Sequence, residues 1–173
     1  MKKSEARTRR MLAAALLALA PAASVMADEP ASESDRFFLD EAASACRSGD
    51  FPAFLWPFAN SSAVRARYGT AAGGADDFPI VMIDYSYVTR ASERLFEANG
   101  GDPRQLVYVQ VDFSTGPGGV ERVDWVPGRF EPDEGDGPGT LIEKTGPGGS
   151  LHFRKAADCW QLTQDIRNKA GAP

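Results

Sequence analysis

His152 is the only histidine in a chain of 173 residues. It lies in Ser-Leu-His-Phe-Arg-Lys, where Leu151 and Phe153 take one side of an extended segment and His152 and Arg154 the other. A histidine base needs a partner that orients its ring and a proton to take. The sequence marks no such partner, and it holds no Gly-x-Ser-x-Gly, His-Glu-x-x-His or Cys-x-x-Cys pattern. Asp84, Tyr85 and Tyr87 offer a carboxylate and two phenols in one β-rich run. With Tyr108, Trp125 and His152 they are the residues from which a pocket on a sheet would be built. In such a pocket His152 or Asp84 would serve as base and a nearby tyrosine as acid.

Arg65 and Arg67 could clamp an anion, because a guanidinium meets a carboxylate or phosphate with two parallel hydrogen bonds. The acidic run from Glu131 to Asp136 invites calcium. Counted from Asp133, however, Gly135 and Lys144 stand where an EF-hand loop needs ligands, so no metal is expected. The run remains an acidic loop that would suit an inhibitor of a basic cleft. No cofactor motif is present, and none is expected. The residues favour a non-enzymatic role over a catalytic one.

Two cysteines, Cys46 and Cys159, stand near opposite ends of the chain. Two thiols and one distant histidine do not have zinc-ligand spacing. In an exported protein an even cysteine count reads as a disulfide. Export is what the first residues indicate. Lys2, Lys3, Arg7, Arg9 and Arg10 precede an apolar run, Met11–Ala20, and small residues ending in Val-Met-Ala at Ala27. That is the plan of a signal peptide cut after Ala27. The Arg9-Arg10 pair also fits the twin-arginine route. The apolar run is shorter than the 20 or so residues needed to span a bilayer. Removal of residues 1–27 changes the net charge from −5 to −9, since five Lys/Arg and one Glu are lost. So acidic a body repels nucleic acid and anionic lipid, which are not expected partners. An envelope protein or a small ligand is. The expected location is periplasmic or secreted.

Thr-Gly-Pro-Gly-Gly occurs twice, at 115–119 and 145–149. Phosphate-binding glycine loops lead from a strand into a helix. Neither copy precedes a helical pattern. Both therefore read as hairpin turns, with Pro117-Gly118 and Pro147-Gly148 as the central pairs of type II turns. At the first hairpin the apolar face is continuous if Val111 faces Val123 and Val109 faces Trp125. Asp112 then faces Arg122, and a glycine bulge falls at Gly118 or Gly119.

Two amphipathic helices come first. One is capped by Ser34 or Asp35 and stopped by Gly49; the next, with Phe51, Phe54, Leu55 and Phe58 at helical spacing, is kinked or broken near Pro57. A strand from Phe78 to Val88, a short helix, and strands around Val109, Val123, Leu141, Leu151 and Leu162 follow. Helices first and antiparallel strands after make an α+β domain. The expectation is one domain over 35–168, with N-terminal helices on a curved antiparallel sheet of about five to six strands. Residues 28–34 and 169–173 would be flexible ends.

The stretch Asp-Phe-Pro-Ala-Phe-Leu-Trp-Pro-Phe-Ala-Asn-Ser-Ser-Ala-Val-Arg-Ala-Arg-Tyr-Gly resembles a segment of bacterial exported domains with the nuclear-transport-factor-two-like fold. The ending Leu-His-Phe-Arg-Lys-Ala-Ala-Asp-Cys-Trp-Gln-Leu-Thr-Gln-Asp-Ile is similar to the way those domains finish. The resemblance implies a cone-like sheet with the N-terminal helices in its curve, and in some members a pocket. The His/Asp or Tyr/Asp set of the family's enzymes has no complete match here.

Overall fold

Ser32 starts the first helix with a reciprocal cap. Its hydroxyl accepts from Asp35 N at 3.1 Å, while the Asp35 carboxylate accepts from Ser32 N at 3.3 Å. Two donors that a helix start leaves unpaired are thereby satisfied. The computed structural model describes residues 32–70, 77–132, 137–156 and 158–169. The signal segment, residues 28–31, most of the acidic loop and the last four residues lie outside that set. All described residues belong to one compact unit.

Helix α1 runs Glu33–Ser48 and ends at Gly49, whose φ of 73° only glycine adopts freely. Helix α2, Phe51–Asn60, is capped by Asp50 and buries Phe51, Phe54, Leu55 and Phe58. It passes through Pro57 and breaks at Ser61, whose hydroxyl then caps α3, Ser62–Tyr68. The expected break thus falls four residues after the proline.

Strands β1, Ile80–Ile83, and β2, Ser86–Thr89, form a hairpin. The single strand expected over this run is therefore two. Asp84 and Tyr85 make the reversal with φ of 45° and 62°. Such turns normally announce themselves with Asn-Gly or Asp-Gly, and this one carries no glycine. Helix α4, Arg90–Ala98, and a short 3₁₀ turn, Pro103–Gln105, lead into the main sheet. Its strands are β3 Val109–Gly116, β4 Val120–Glu131, β5 Thr140–Lys144, β6 Gly149–Lys155 and β7 Trp160–Arg167. The order is β3-β4-β6-β7, all antiparallel, with β5 also on β4. A bridge between Val88 and Tyr108 hangs the β1–β2 hairpin on the start of β3. The fold is α+β with the helices N-terminal.

The two Thr-Gly-Pro-Gly-Gly copies do different things. The first is a hairpin turn, as expected: Gly119 N donates to Gly116 O at 3.3 Å, and Gly118 and Gly119 have φ of 72° and 71°. Its register differs from expectation. Three residues form the loop, so Val111 faces Trp125, Phe113 faces Val123 and Asp112 faces Asp124. The two registers differ by two residues and keep the same residues on the core face, so side-chain alternation could not choose between them.

The second copy is no hairpin. Gly128 N donates to Tyr108 O, so the β3 side of β4 is taken there, and β5 and β6 lie end to end along the other side. Lys144 faces Gly128 and Gly149 faces Trp125. The chain between them has two residues more than the facing stretch of β4, and residues 145–148 form a jog in one interrupted strand.

The core lies between α1–α3 and one face of the sheet. Phe51, Phe54 and Phe58 meet Phe153, Trp160 and Leu162, which are nearly fully buried. Phe58 and Phe153 sit edge to face with centroids 5.1 Å apart, and Phe51 and Trp160 likewise at 5.4 Å. Each such pair contributes about 1 kcal/mol beyond the area it buries. Cys46 and Cys159 form a disulfide between α1 and the residue before β7, with Cα atoms 5.0 Å apart and 113 residues of separation. Closing so long a loop stabilises by about 4–5 kcal/mol in the chain-entropy picture. No described helix is long and apolar enough to cross a membrane.

Candidate functional site

The residues that the sequence offered for a pocket end up in five separate places. Asp84 and Tyr85 form the tip of the β1–β2 hairpin, with Tyr85 88% exposed. Tyr87 packs against the core, and burial pushes its phenol well above the usual range. Tyr108 meets Phe130 edge-on, with centroids 6.4 Å apart, in a cavity of about 630 Å³ also lined by Leu106, Val107 and Arg129. Trp125 lines a different cavity. The two arginines also part. Arg65 is buried and donates through Nη1 to Phe58 O at 3.0 Å and Ala59 O at 2.8 Å, so it closes the end of α2. Arg67 lies over the Tyr68 ring and lines a shallow cleft with Asp158 and Gln161. Of the acidic run, Glu131 ends β4 and residues 133–136 lie outside the described residues.

His152 stands on the sheet face opposite the core. Its Nε2 is 3.2 Å from Ser150 Oγ, with Arg122 across from the histidine and Asp124 across from the serine. A serine touching histidine Nε2 resembles an activated nucleophile. That chemistry also needs a group to orient the ring through Nδ1 and donors for the developing oxyanion. The contact to Ser150 is the ring's one hydrogen bond among the described residues, and Asp124 is engaged by Arg122 at 2.7 Å. The pair lines none of the described cavities. No group of three or more metal-ligating side chains occurs among the described residues.

The third cavity is built from five segments. Asp77, Phe78 and Pro79 lead into β1. Thr89, Arg90, Ala91 and Arg94 start α4. Trp125 and Pro127 come from β4, Pro147 from the jog, and Arg167 from the end of β7. It encloses about 280 Å³. Thr89 caps α4 by accepting from Ser92 N at 3.2 Å, which presents Arg90 and Arg94 on one side of the helix, one turn apart. Glu93 holds the Arg90 guanidinium through both carboxylate oxygens, at 3.0 and 2.9 Å, and Ala59 O accepts from its Nη2. Arg167 is held by Asp165 and by Asp77, whose Oδ2 accepts from Nη1 at 2.9 Å and whose carbonyl accepts from Nη2. These bonds, Asp165 first, keep the Arg167 pKa above the ordinary arginine value against the opposing effect of burial.

Trp125 is 9% exposed, and its Nε1 is the one buried side-chain nitrogen or oxygen without a hydrogen-bond partner among the described residues. An unpaired buried donor costs about 1–3 kcal/mol. The start of β6, just after the jog, lies against this indole. A Cβ at Gly149 would lie 2.9 Å from Trp125 Cε2 and Cζ2 and would collide with Ile166 O; one at Gly148 would collide with Trp125 O. The glycines of the second copy thus allow the chain to approach the tryptophan that walls the cavity.

Sequence reasoning named Trp125 and missed Arg90, Arg94 and Arg167. The first two had a signal, a threonine cap followed by arginines four apart. Arg167 had none, because its place follows from the β6–β7 pairing alone. Comparisons with protein-family models, curated proteins and solved structures return no match to this chain.

Proposed function

We propose that this chain is an exported, disulfide-stapled binding domain without catalytic activity, and that it holds a small ligand in the cavity walled by Trp125. One observation carries the site: Trp125, whose buried indole N–H has no acceptor among the described residues, is one wall of a cavity that three arginines also line. Binding sites are concave, mostly apolar and furnished with a few placed polar groups. Phe78, Pro79, Pro127, Pro147 and Trp125 supply the apolar part here. Export is supported by the basic and apolar start, the small residues before Asp28, and the Cys46–Cys159 bond, which persists in oxidising compartments. The acidic charge speaks against nucleic acid as partner. Kinship with the nuclear-transport-factor-two-like exported domains is part of the proposal, supported by the order of helices first and antiparallel sheet after.

The test is native mass spectrometry of the protein taken from its own cell envelope without reduction. The expected spectrum shows a chain that begins at Asp28, lacks two hydrogens, and carries a small-molecule adduct that Trp125→Ala loses. An uncut or reduced chain overturns export. An adduct indifferent to Trp125→Ala overturns the site.

A further inference from the structure

The cavity's chemistry narrows the class of ligand, an argument that rests on the binding reading above. Its lining side chains bring three guanidinium groups and one carboxylate, Asp77. Glu93 and Asp165 do not line it; they bind Arg90 and Arg167 and fix their planes. Counted with them the cluster is neutral, so it exerts little long-range pull on an anion. Recognition must come from donors held at contact distance, which is how a fixed guanidinium binds a planar anion.

Asp77 shows what Arg167 takes. Its carboxylate sits on Arg167 Nη1 at 2.9 Å, yet its side chain is 78% exposed, against 40% for Arg167. Asp165, the other partner of Arg167, is 8% exposed and belongs to the supporting structure. An ion pair so open to water is worth about 0–1 kcal/mol and exchanges readily. The neighbouring wall is apolar and contains aromatic rings, Trp125 and Phe78. At about 280 Å³ the space lies just under the range of drug-sized ligands, about 300–1,000 Å³.

We propose that the cavity binds a small organic carboxylate with a flat apolar body, and that the ligand's carboxylate takes the place of the Asp77 carboxylate on Arg167. The ligand's body lies among Trp125, Phe78 and the prolines, and Arg94 and Arg90 flank the charged end. Asp77 is then an internal competitor that weakens binding.

Benzoate serves as the probe, with benzyl alcohol as its uncharged counterpart and inorganic phosphate as an anion without an apolar body. Each is titrated into the oxidised protein while the indole N–H signals are followed by NMR, the Trp125 signal being identified by its loss in Trp125→Phe. Benzoate is expected to move that signal and to bind at least ten-fold tighter than benzyl alcohol or phosphate. Asp77→Ala, which keeps the backbone carbonyl bonded to Arg167, is expected to tighten benzoate binding at least three-fold; Arg167→Gln or Arg94→Gln is expected to weaken it at least ten-fold. Equal binding of benzyl alcohol overturns the carboxylate while leaving the cavity as a site. Equal binding of phosphate overturns the apolar body. Unchanged or weaker binding in Asp77→Ala overturns the exchange at Arg167. A Trp125 signal that none of the three probes moves overturns both this proposal and the binding reading beneath it.

Discussion

The same five residues, Thr-Gly-Pro-Gly-Gly, occur at 115–119 and 145–149 and are used in opposite ways. In the first copy Gly118 and Gly119 adopt left-handed backbone angles in open space, with nothing within 4 Å of where a Cβ would be. Their value is torsional. In the second copy neither Gly148 nor Gly149 has a left-handed φ, and both stand where a Cβ would strike Trp125 or the backbone beside it. Their value is the absence of a side chain. A motif therefore does not determine what its glycines are for; the strands on either side do. The first copy joins two strands that pair with each other. The second joins two strands that share one neighbour.

This difference can be tested by substitution. Gly149→Ala should have the largest effect, about 3 kcal/mol of lost stability in urea unfolding, since both a ring edge and a carbonyl would have to move. Gly148→Ala should follow with about 2 kcal/mol, from one backbone collision. Gly118→Ala should cost only about 1 kcal/mol, the torsional penalty of a left-handed alanine without any clash. If the cost at Gly118 equalled that at Gly149, the distinction between the copies would be wrong. The smallest effect should have the reverse sign. Tyr85 holds a φ of 62° at an exposed turn. Tyr85→Gly should raise stability by somewhat under about 1 kcal/mol, because relief of the left-handed strain slightly exceeds glycine's extra chain entropy. A loss of stability there would mean that the ring makes a contact worth more than the strain.

How far the sequence revealed the fold depended on whether the signal was local. The aromatic spacing of Phe51, Phe54 and Phe58, the Gly49 stop and the alternation around Leu151 all act within a few residues, and helices, strands and their faces could be read from them. The turn at Asp84-Tyr85 was hidden because it contains no glycine, so a hairpin read as one strand. Registers that differ by two residues leave the same side chains on the same face, so the Val111–Trp125 pairing was open until the loop length was known. The candidate site was less legible still. Arg90, Arg94, Trp125 and Arg167 come from a helix start, the middle of one strand and the end of another, as much as 77 residues apart in sequence, and only the sheet order brings them to one cavity. Arg65, legible as an anion contact, proved to be occupied by two carbonyls at the end of α2.

The bond from Cys46 to Cys159 makes the stretch between them a closed ring of chain, with α1 and β7 attached where the ring is sealed. Two consequences follow. The ring cannot be sealed until residue 159 has been delivered, so every strand but β7 is already present when the bond forms. And a protease that cuts the backbone once between the two cysteines releases nothing, because the two pieces remain one covalent molecule. A piece of the ring itself is lost only after a second cut within it.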